Sequence, residues 1–106
     1  MHMSSGNPMR KLAESELDRV ASQFRLLGET MRLRILQAIC DKKRTVGEIV
    51  EATGATQPNV SRHLALLAAS GLIQREKEGH FVYYGLSDPL IVKLCQLVHA
   101  QLRERE

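Results

Sequence analysis

The residues of this 106-residue sequence best suited to chemistry are hydrogen-bonding side chains clustered between positions 57 and 63. Short or planar donors and acceptors of this kind meet base edges and phosphates in the major groove of DNA. Any one of them is unremarkable on a protein surface, but together they favour contact with nucleic acid. The set, predicted to be exposed at the front of a helix, is Gln57, Asn59, Ser61, Arg62 and His63. Arg62 is the strongest candidate, whereas His63 is either a base contact or a packed or capping histidine.

A second basic group surrounds Gly79, where two short segments of alternating polarity predict a hairpin. Its members are Arg75, Lys77 and His80. At the tip of a hairpin they could neutralise phosphates of a neighbouring groove. The alternative is an ordinary exposed turn, which Glu76 and Glu78 favour because carboxylates beside phosphate are unfavourable unless they point away.

Two cysteines, Cys40 and Cys95, are too few for the disulfide framework of a small secreted domain, and this indicates a reducing compartment. Both lie in hydrophobic helical patterns, so buried structural cysteines are one interpretation. A thiol sensor is the other, and it requires access to the thiols. His99 follows Cys95 by one helical turn, but two ligands make a weak metal site. We find no catalytic arrangement and predict no enzyme, no cofactor and no metal centre.

The elements that position these groups follow from hydrophobic periodicity and capping signals. Helices are predicted over 15–27, with Ser15 as a cap, over 29–41, over 45–52 behind a Thr45 capping box, and over 57–70 behind Thr56. A hairpin over 72–86 and a helix from Asp88 and Pro89 onwards follow. This order predicts a mainly α fold with a small β-hairpin, the winged helix-turn-helix. We expect a flexible tail over 1–11 and one domain over 12–106.

Composition is consistent with a single soluble domain that does not enter a membrane. Hydrophobic residues make up 43% of the chain, enough for one core, and no apolar run is long enough to span a bilayer. We therefore expect a cytoplasmic protein. The net charge of +3 suits a polyanionic partner but does not establish one.

The first and last helices carry more apolar surface than a core around the central helices would use. Their stripes are Leu17, Val20 and Phe24 in the first helix, and Ile91, Leu94 and Val98 in the last. Surplus apolar faces of this kind indicate an interface. We therefore expect a homodimer that pairs through the first and last helices.

Three segments together resemble the bacterial ArsR (SmtB-type) repressor family: LLGETMRLRIL at 26–36, TVGEI at 45–49 and NVSRHLALL at 59–67. The resemblance spans about 17–102. It implies a homodimer that binds an inverted repeat in double-stranded DNA, its operator, and leaves it when an effector or modification arrives. The rival hypothesis is a winged helix that binds protein rather than DNA.

The family resemblance also suggests what could be sensed. The thiol pair that many members carry in the third helix is absent from 45–49, and the zinc ligands of the last helix are only partly matched, since Leu90 and Gln101 stand where imidazoles would be needed. Another branch places one cysteine in the second helix and one in the last, where oxidation or persulfide bridging alters DNA affinity. Cys40 and Cys95 occupy those helices, about one turn later and two turns earlier than that branch has them. An unidentified ligand or metal remains the alternative effector.

Overall fold

The computed structural model describes residues 6–106, which form five α-helices and a three-stranded antiparallel sheet. The sheet has the strand order β1-β3-β2. This is the predicted mainly α architecture with a hairpin wing, and the fold prediction is confirmed. The elements are α1 (Glu14–Leu27), α2 (Thr30–Ile39), β1 (Arg44–Thr45), α3 (Val46–Thr53), α4 (Gln57–Ala69), β2 (Ile73–Glu78), β3 (Phe81–Leu86) and α5 (Leu90–Glu104).

Strand β1 is an element that the sequence did not predict. Its two residues pair with β3, Arg44 opposite Tyr84 and Thr45 opposite Tyr83, so the sheet has three strands and not two. The run is too short to show a two-residue alternation, and it is a strand only because β3 lies beside it. The pairing joins the wing to the start of α3.

Capping side chains set the starts of the two helices that form the helix-turn-helix. Thr45 Oγ1 accepts from the Glu48 amide at 3.2 Å while Glu48 Oε1 accepts from the Thr45 amide at 2.9 Å, which confirms the capping box. Thr56 Oγ1 caps α4 by accepting from the Asn59 amide at 3.4 Å. Between these helices Gly54 adopts a φ of 73°, a left-handed conformation that favours glycine.

The amino-terminal part of the chain differs from the prediction in two respects. Helix α1 begins after Ala13, whose amide donates to Glu16 Oε1 at 2.8 Å, so the prediction of a Ser15 cap is wrong. Pro8–Lys11 forms a short, exposed 3-10 helix capped by Asn7, within the predicted flexible tail. Residues 1–5 of that tail lie outside the described residues.

The hydrophobic core lies among α2, α3, α4 and the first residue of β2. Its fully or almost fully buried members are Ile35, Leu36, Ile39, Ile49, Val60, Leu64, Leu67 and Ile73. Neither α1 nor α5 contributes a buried residue. The core therefore fixes α4 and the base of the wing against each other, and the outer helices pack around it.

Candidate nucleic-acid interface

Helix α4 presents most of the predicted contact residues on the side away from the core. Gln57 and Arg62 are exposed, and Asn59 and Ser61 are half-buried. The inward stripe of the same helix holds Val60, Leu64 and Leu67. Burial of that stripe keeps the polar face of the helix outward.

The polar side chains of α4 are arranged in two pairs along the helix. Gln57 Nε2 donates to Ser61 Oγ at 2.8 Å, and an Arg62 guanidinium nitrogen donates to Asn59 Oδ1 at 2.6 Å. Each pair spans about one helical turn, the spacing at which side chains on a helix meet. The Arg62 guanidinium carries five N–H donors, so the bond to Asn59 leaves others to meet an acceptor outside the protein.

His63 is the one predicted contact residue that the structure places inside the protein. The residue is only 5% exposed, and its Nδ1 accepts from Arg32 Nε at 3.1 Å. The prediction that it is exposed is wrong, and the alternative of a packed histidine is what the structure shows. Position 63 lies three residues after Val60 and directly before Leu64, so helical geometry places it on the inward stripe.

The wing has two chemically different faces because successive side chains of a strand point to opposite sides. Ile73 of β2 belongs to the core beneath α4, so Arg75 and Lys77 continue along the face that begins there. Glu76 and Glu78 point to the other face. The basic residues therefore extend from the side of the sheet that packs on α4, and the carboxylates do not stand between them and a ligand of α4.

Lys43 forms ion pairs with the two carboxylates on the other face of the wing. Its ammonium group pairs with Glu78 and with Glu76 at 3.5 Å, and it lies 5.6 Å from the centre of the Tyr83 ring. The hydrogen bond to Glu78, together with the charges of both carboxylates, raises the pKa of Lys43 above its ordinary value. The sequence alone does not identify this residue, since nothing in the polar run at 41–44 indicates which cation meets β2.

The tip of the wing is a tight turn at the predicted position. Gly79 adopts a φ of 64°, and the exposed His80 follows it before β3 begins at Phe81. His80 was predicted to form one basic group with Arg75 and Lys77, and all three residues lie on this hairpin. These residues and the outward face of α4 make up the candidate interface.

Both cysteines line one groove of about 420 Å³ between α2 and α5, and both are free thiols. The groove also includes Leu33, Ile91 and His99. Cys95 is half-buried, but Cys40 is exposed, so the interpretation of Cys40 as a buried residue is wrong. The reason is that α2 ends at Ile39 and Cys40 is its cap, just outside the inward stripe.

The described residues contain neither a metal-binding group nor a membrane span. No three His, Cys, Asp or Glu side chains within 6–106 are gathered so that they could hold an ion. Over the same range, every helix is too short or too polar to cross a bilayer.

Comparison with known proteins identifies the family. Residues 30–75 match the model of the family described as bacterial regulatory protein, arsR family. The chain is 38% identical over 80 residues to the probable mercury resistance operon repressor of Streptomyces lividans, covering 76% of this chain and 64% of that protein's length. It is 32% identical to the transcriptional activator HlyU of Vibrio cholerae, over 72% of this chain and 70% of HlyU.

A solved structure extends the likeness over nearly the whole chain. It is the homodimeric winged helix-turn-helix DNA-binding domain of a possible ArsR-family transcriptional regulator from Mycobacterium bovis. The two share 31% identity with a TM-score of 0.76, covering 94% of this chain and 91% of that one. These relatives are regulatory proteins and not enzymes, as the sequence predicted. The chain belongs to the ArsR family.

Proposed function

We propose that this protein is a transcriptional regulator that binds double-stranded operator DNA as a homodimer. The observation that carries the proposal is the outward polar face of α4, flanked by a wing whose basic residues project on the same side as α4. In a winged helix-turn-helix the second helix of the pair enters the major groove, and the wing meets the adjacent backbone. Gln57, Asn59, Ser61 and Arg62 would then meet bases and phosphates, and Arg75, Lys77 and His80 would meet phosphates.

The dimer is supported by apolar surface that the single chain leaves uncovered. On α5, Leu97 is 70% exposed and Leu102 52%, and on α1 Phe24 is 56% exposed. A patch of this kind on a soluble protein indicates an interaction site. Pairing through α1 and α5 about a two-fold axis would set two copies of α4 about 34–36 Å apart, one turn of duplex. An inverted-repeat operator follows from that symmetry.

The direction of regulation is proposed as repression. The Streptomyces relative is a probable repressor, and the Vibrio relative is an activator. DNA binding by this fold is common to both outcomes, and the position of the operator relative to the promoter decides between them. We favour repression because the sequence match to the Streptomyces repressor has the higher identity of the two.

The test of DNA binding uses a duplex that the protein itself selects from a random-sequence library. Fluorescence anisotropy with that duplex, repeated between about 50 and 200 mM salt, should show affinity falling steeply as counterions compete for the phosphates. A random duplex of equal length is the control. Failure to enrich any sequence, or an affinity that is indifferent to salt, would favour a protein-binding winged helix instead.

A second part of the proposal is that Cys40 and Cys95 form a thiol switch that releases the DNA. It is supported by their shared groove between α2 and α5 and by the exposure of Cys40. Two thiols that form a disulfide give up two protons and two electrons to an oxidant such as diamide. Their Cα atoms must approach within about 7 Å for the bond to form.

The switch is tested on the same duplex with reduced protein, diamide-treated protein and the Cys40→Ser and Cys95→Ser variants. If diamide weakens DNA binding by the wild type and either serine substitution removes this effect, the switch is supported. Binding that ignores thiol state would mean that the effector is a ligand or a metal. Treatment that weakens binding equally in the wild type and in both serine variants would mean that one thiol is sufficient, for example in a disulfide between two protomers, and would contradict the bond between Cys40 and Cys95.

A further inference from the structure

Beneath the recognition helix lies a buried histidine whose ring nitrogens both face charged groups. Within residues 6–106, His63 is the one polar or charged residue that is buried. Its Nδ1 accepts from Arg32 Nε at 3.1 Å, which leaves the ring proton on Nε2. Nε2 lies 3.3 Å from Glu29 Oε1. A buried polar group held by specific partners tolerates few other arrangements, so this cluster restrains α4.

Arg32 connects three elements through the different nitrogens of one guanidinium. Besides the bond to His63 on α4, it donates to the carbonyl oxygen of Leu26 on α1 at 3.2 Å, and it pairs with Glu29 at 3.4 Å just before α2. The guanidinium is planar and its donors have fixed directions. The positions of the end of α1, the start of α2 and the inner side of α4 are therefore linked through one rigid group.

The geometry points to Arg32 and His63 as positioning residues that set the rotation of α4 about its axis, and with it the direction in which Arg62 meets DNA. His63 and Arg62 are consecutive, about 100° apart around the helix. Holding His63 inward at Arg32 therefore fixes where Arg62 points. The inference rests on the proposed DNA-binding function and adds that sequence discrimination depends on a contact that never touches DNA.

The same cluster links α4 to α1, one of the two helices that carry uncovered apolar faces. Arg32 bonds to the last turn of α1, and α1 is one of the two helices proposed to pair with a second copy. A shift of α1 relative to α2 would change the position of the Leu26 carbonyl and hence of the guanidinium. The direction of Arg62 is thereby tied to the position of α1 relative to α2.

The experiment compares His63→Leu, His63→Asn and Arg32→Lys with the wild type on the library-selected duplex and on a random duplex. Leucine keeps the inward stripe apolar but cannot accept from Arg32, and lysine keeps the charge of Arg32 but loses the planar fork. We expect both to lower the ratio of selected to random affinity by about tenfold, the order of one lost base contact. Asparagine retains an acceptor oxygen and should restore part of the ratio.

Two further measurements separate positioning from direct contact and from simple stabilisation. The salt dependence of binding should not change in His63→Leu, since no phosphate contact is removed, whereas a phosphate contact would lower the slope by about one. Arg32→Lys combined with His63→Leu should lose little beyond either variant alone. An unchanged affinity ratio in His63→Leu, or additive losses in the double variant, would overturn the inference.

Amide chemical shifts of the unliganded protein provide a readout that needs no DNA. Arg32→Lys should perturb the amides of α4 around His63 as well as those beside Arg32, while Arg34→Lys, a matched change on the same helix, should not. If the wild type selects no duplex, the proposed function fails, and these shifts still decide whether Arg32 restrains α4. Shifts confined to α2 would show that it does not.

Discussion

The inner and outer helices of this protein differ in how completely a single chain buries their apolar faces. Helices α2, α3 and α4 hold all but one of the buried hydrophobic residues, the exception being Ile73 on β2. Helices α1 and α5 have none, although both carry apolar stripes. The inner half, made of α2, α3 and α4, thus has a core of its own, while the outer half has apolar surface that only another surface can cover.

The dimensions of the chain agree with this division. Its radius of gyration is 16.5 Å, whereas a compact domain of about 100 residues has a radius of about 13 Å. The longest axis extends 55 Å against 21 Å for the shortest. An elongated protomer with uncovered helices at its periphery is the expected shape of half a dimer.

The largest effect is expected from a cavity in the inner half. Leu64→Ala removes a fully buried side chain from α4 and should lower the free energy of unfolding by about 2–5 kcal/mol, a large part of a domain's stability. Urea denaturation followed by circular dichroism measures it. Leu66→Ala, the same change at a half-exposed position of the same helix, is the matched control and should cost far less. Equal losses of unfolding free energy in the two variants would contradict the assignment of Leu64 to the core and Leu66 to the surface.

Substitutions in the outer helices α1 and α5 should change the stability of the dimer rather than the stability of the fold. Leu97→Glu places a charge at the most exposed large hydrophobic position on α5. If the position is central to the dimer, the substitution should weaken dimerisation by about 2 kcal/mol or more. Sedimentation equilibrium measures the dimer constant, and circular dichroism checks that the helices remain. Gln96→Glu, about 100° around the helix, is the control. A variant that is still fully dimeric would place the interface elsewhere.

A substitution on the outward face of α4 should alter DNA binding without altering the packing of the inner or the outer helices. Arg62→Ala should weaken binding to the selected duplex by about 1–3 kcal/mol and weaken random DNA much less. Anisotropy on both duplexes measures this, with Arg19→Ala on α1 as a control for the loss of one positive charge. An equal loss on both duplexes would make Arg62 a phosphate contact.

The smallest effect concerns the cap of α3 and depends on pH. Hydrogen bonds from the Thr45 amide and hydroxyl hold the pKa of Glu48 below its ordinary value of 4.5. A lowered pKa in the folded state means that the cap stabilises the protein above pH 4.5 and that this stabilisation is lost as pH falls through the folded pKa. Urea midpoints of the wild type and Glu48→Gln should therefore differ near neutral pH and converge in acid. A constant difference would exclude the titration of Glu48 as its cause.

The sequence predicted features that depend on local spacing better than features that depend on which residues meet in space. Thr45 with Glu48, and the glycine turns at Gly54 and Gly79, are set by neighbours within a few residues and were predicted correctly. The burial of His63 was also predictable, because it shares the inward stripe with Val60, but its polar type favoured a surface position.

Other features required the folded chain. The meeting of Lys43 with Glu76 and Glu78 joins residues more than 30 positions apart, and no local pattern specifies it. Strand β1 likewise exists only because β3 lies beside it. The contact between Arg32 and His63 spans 31 positions and belongs to the same class. The sequence did not predict which polar residues far apart along the chain would meet in the folded structure.

The two faces of the wing change what the net charge says about the protein. In the formal net charge, the two positive charges of Arg75 and Lys77 cancel the two negative charges of Glu76 and Glu78. The strand separates them, since the carboxylates lie with Lys43 on one side and the two cations lie on the other. A polyanion that approaches from the α4 side therefore meets a positive surface on a molecule whose overall charge is small. Local potential, and not net charge, is the quantity that the salt dependence of binding will report.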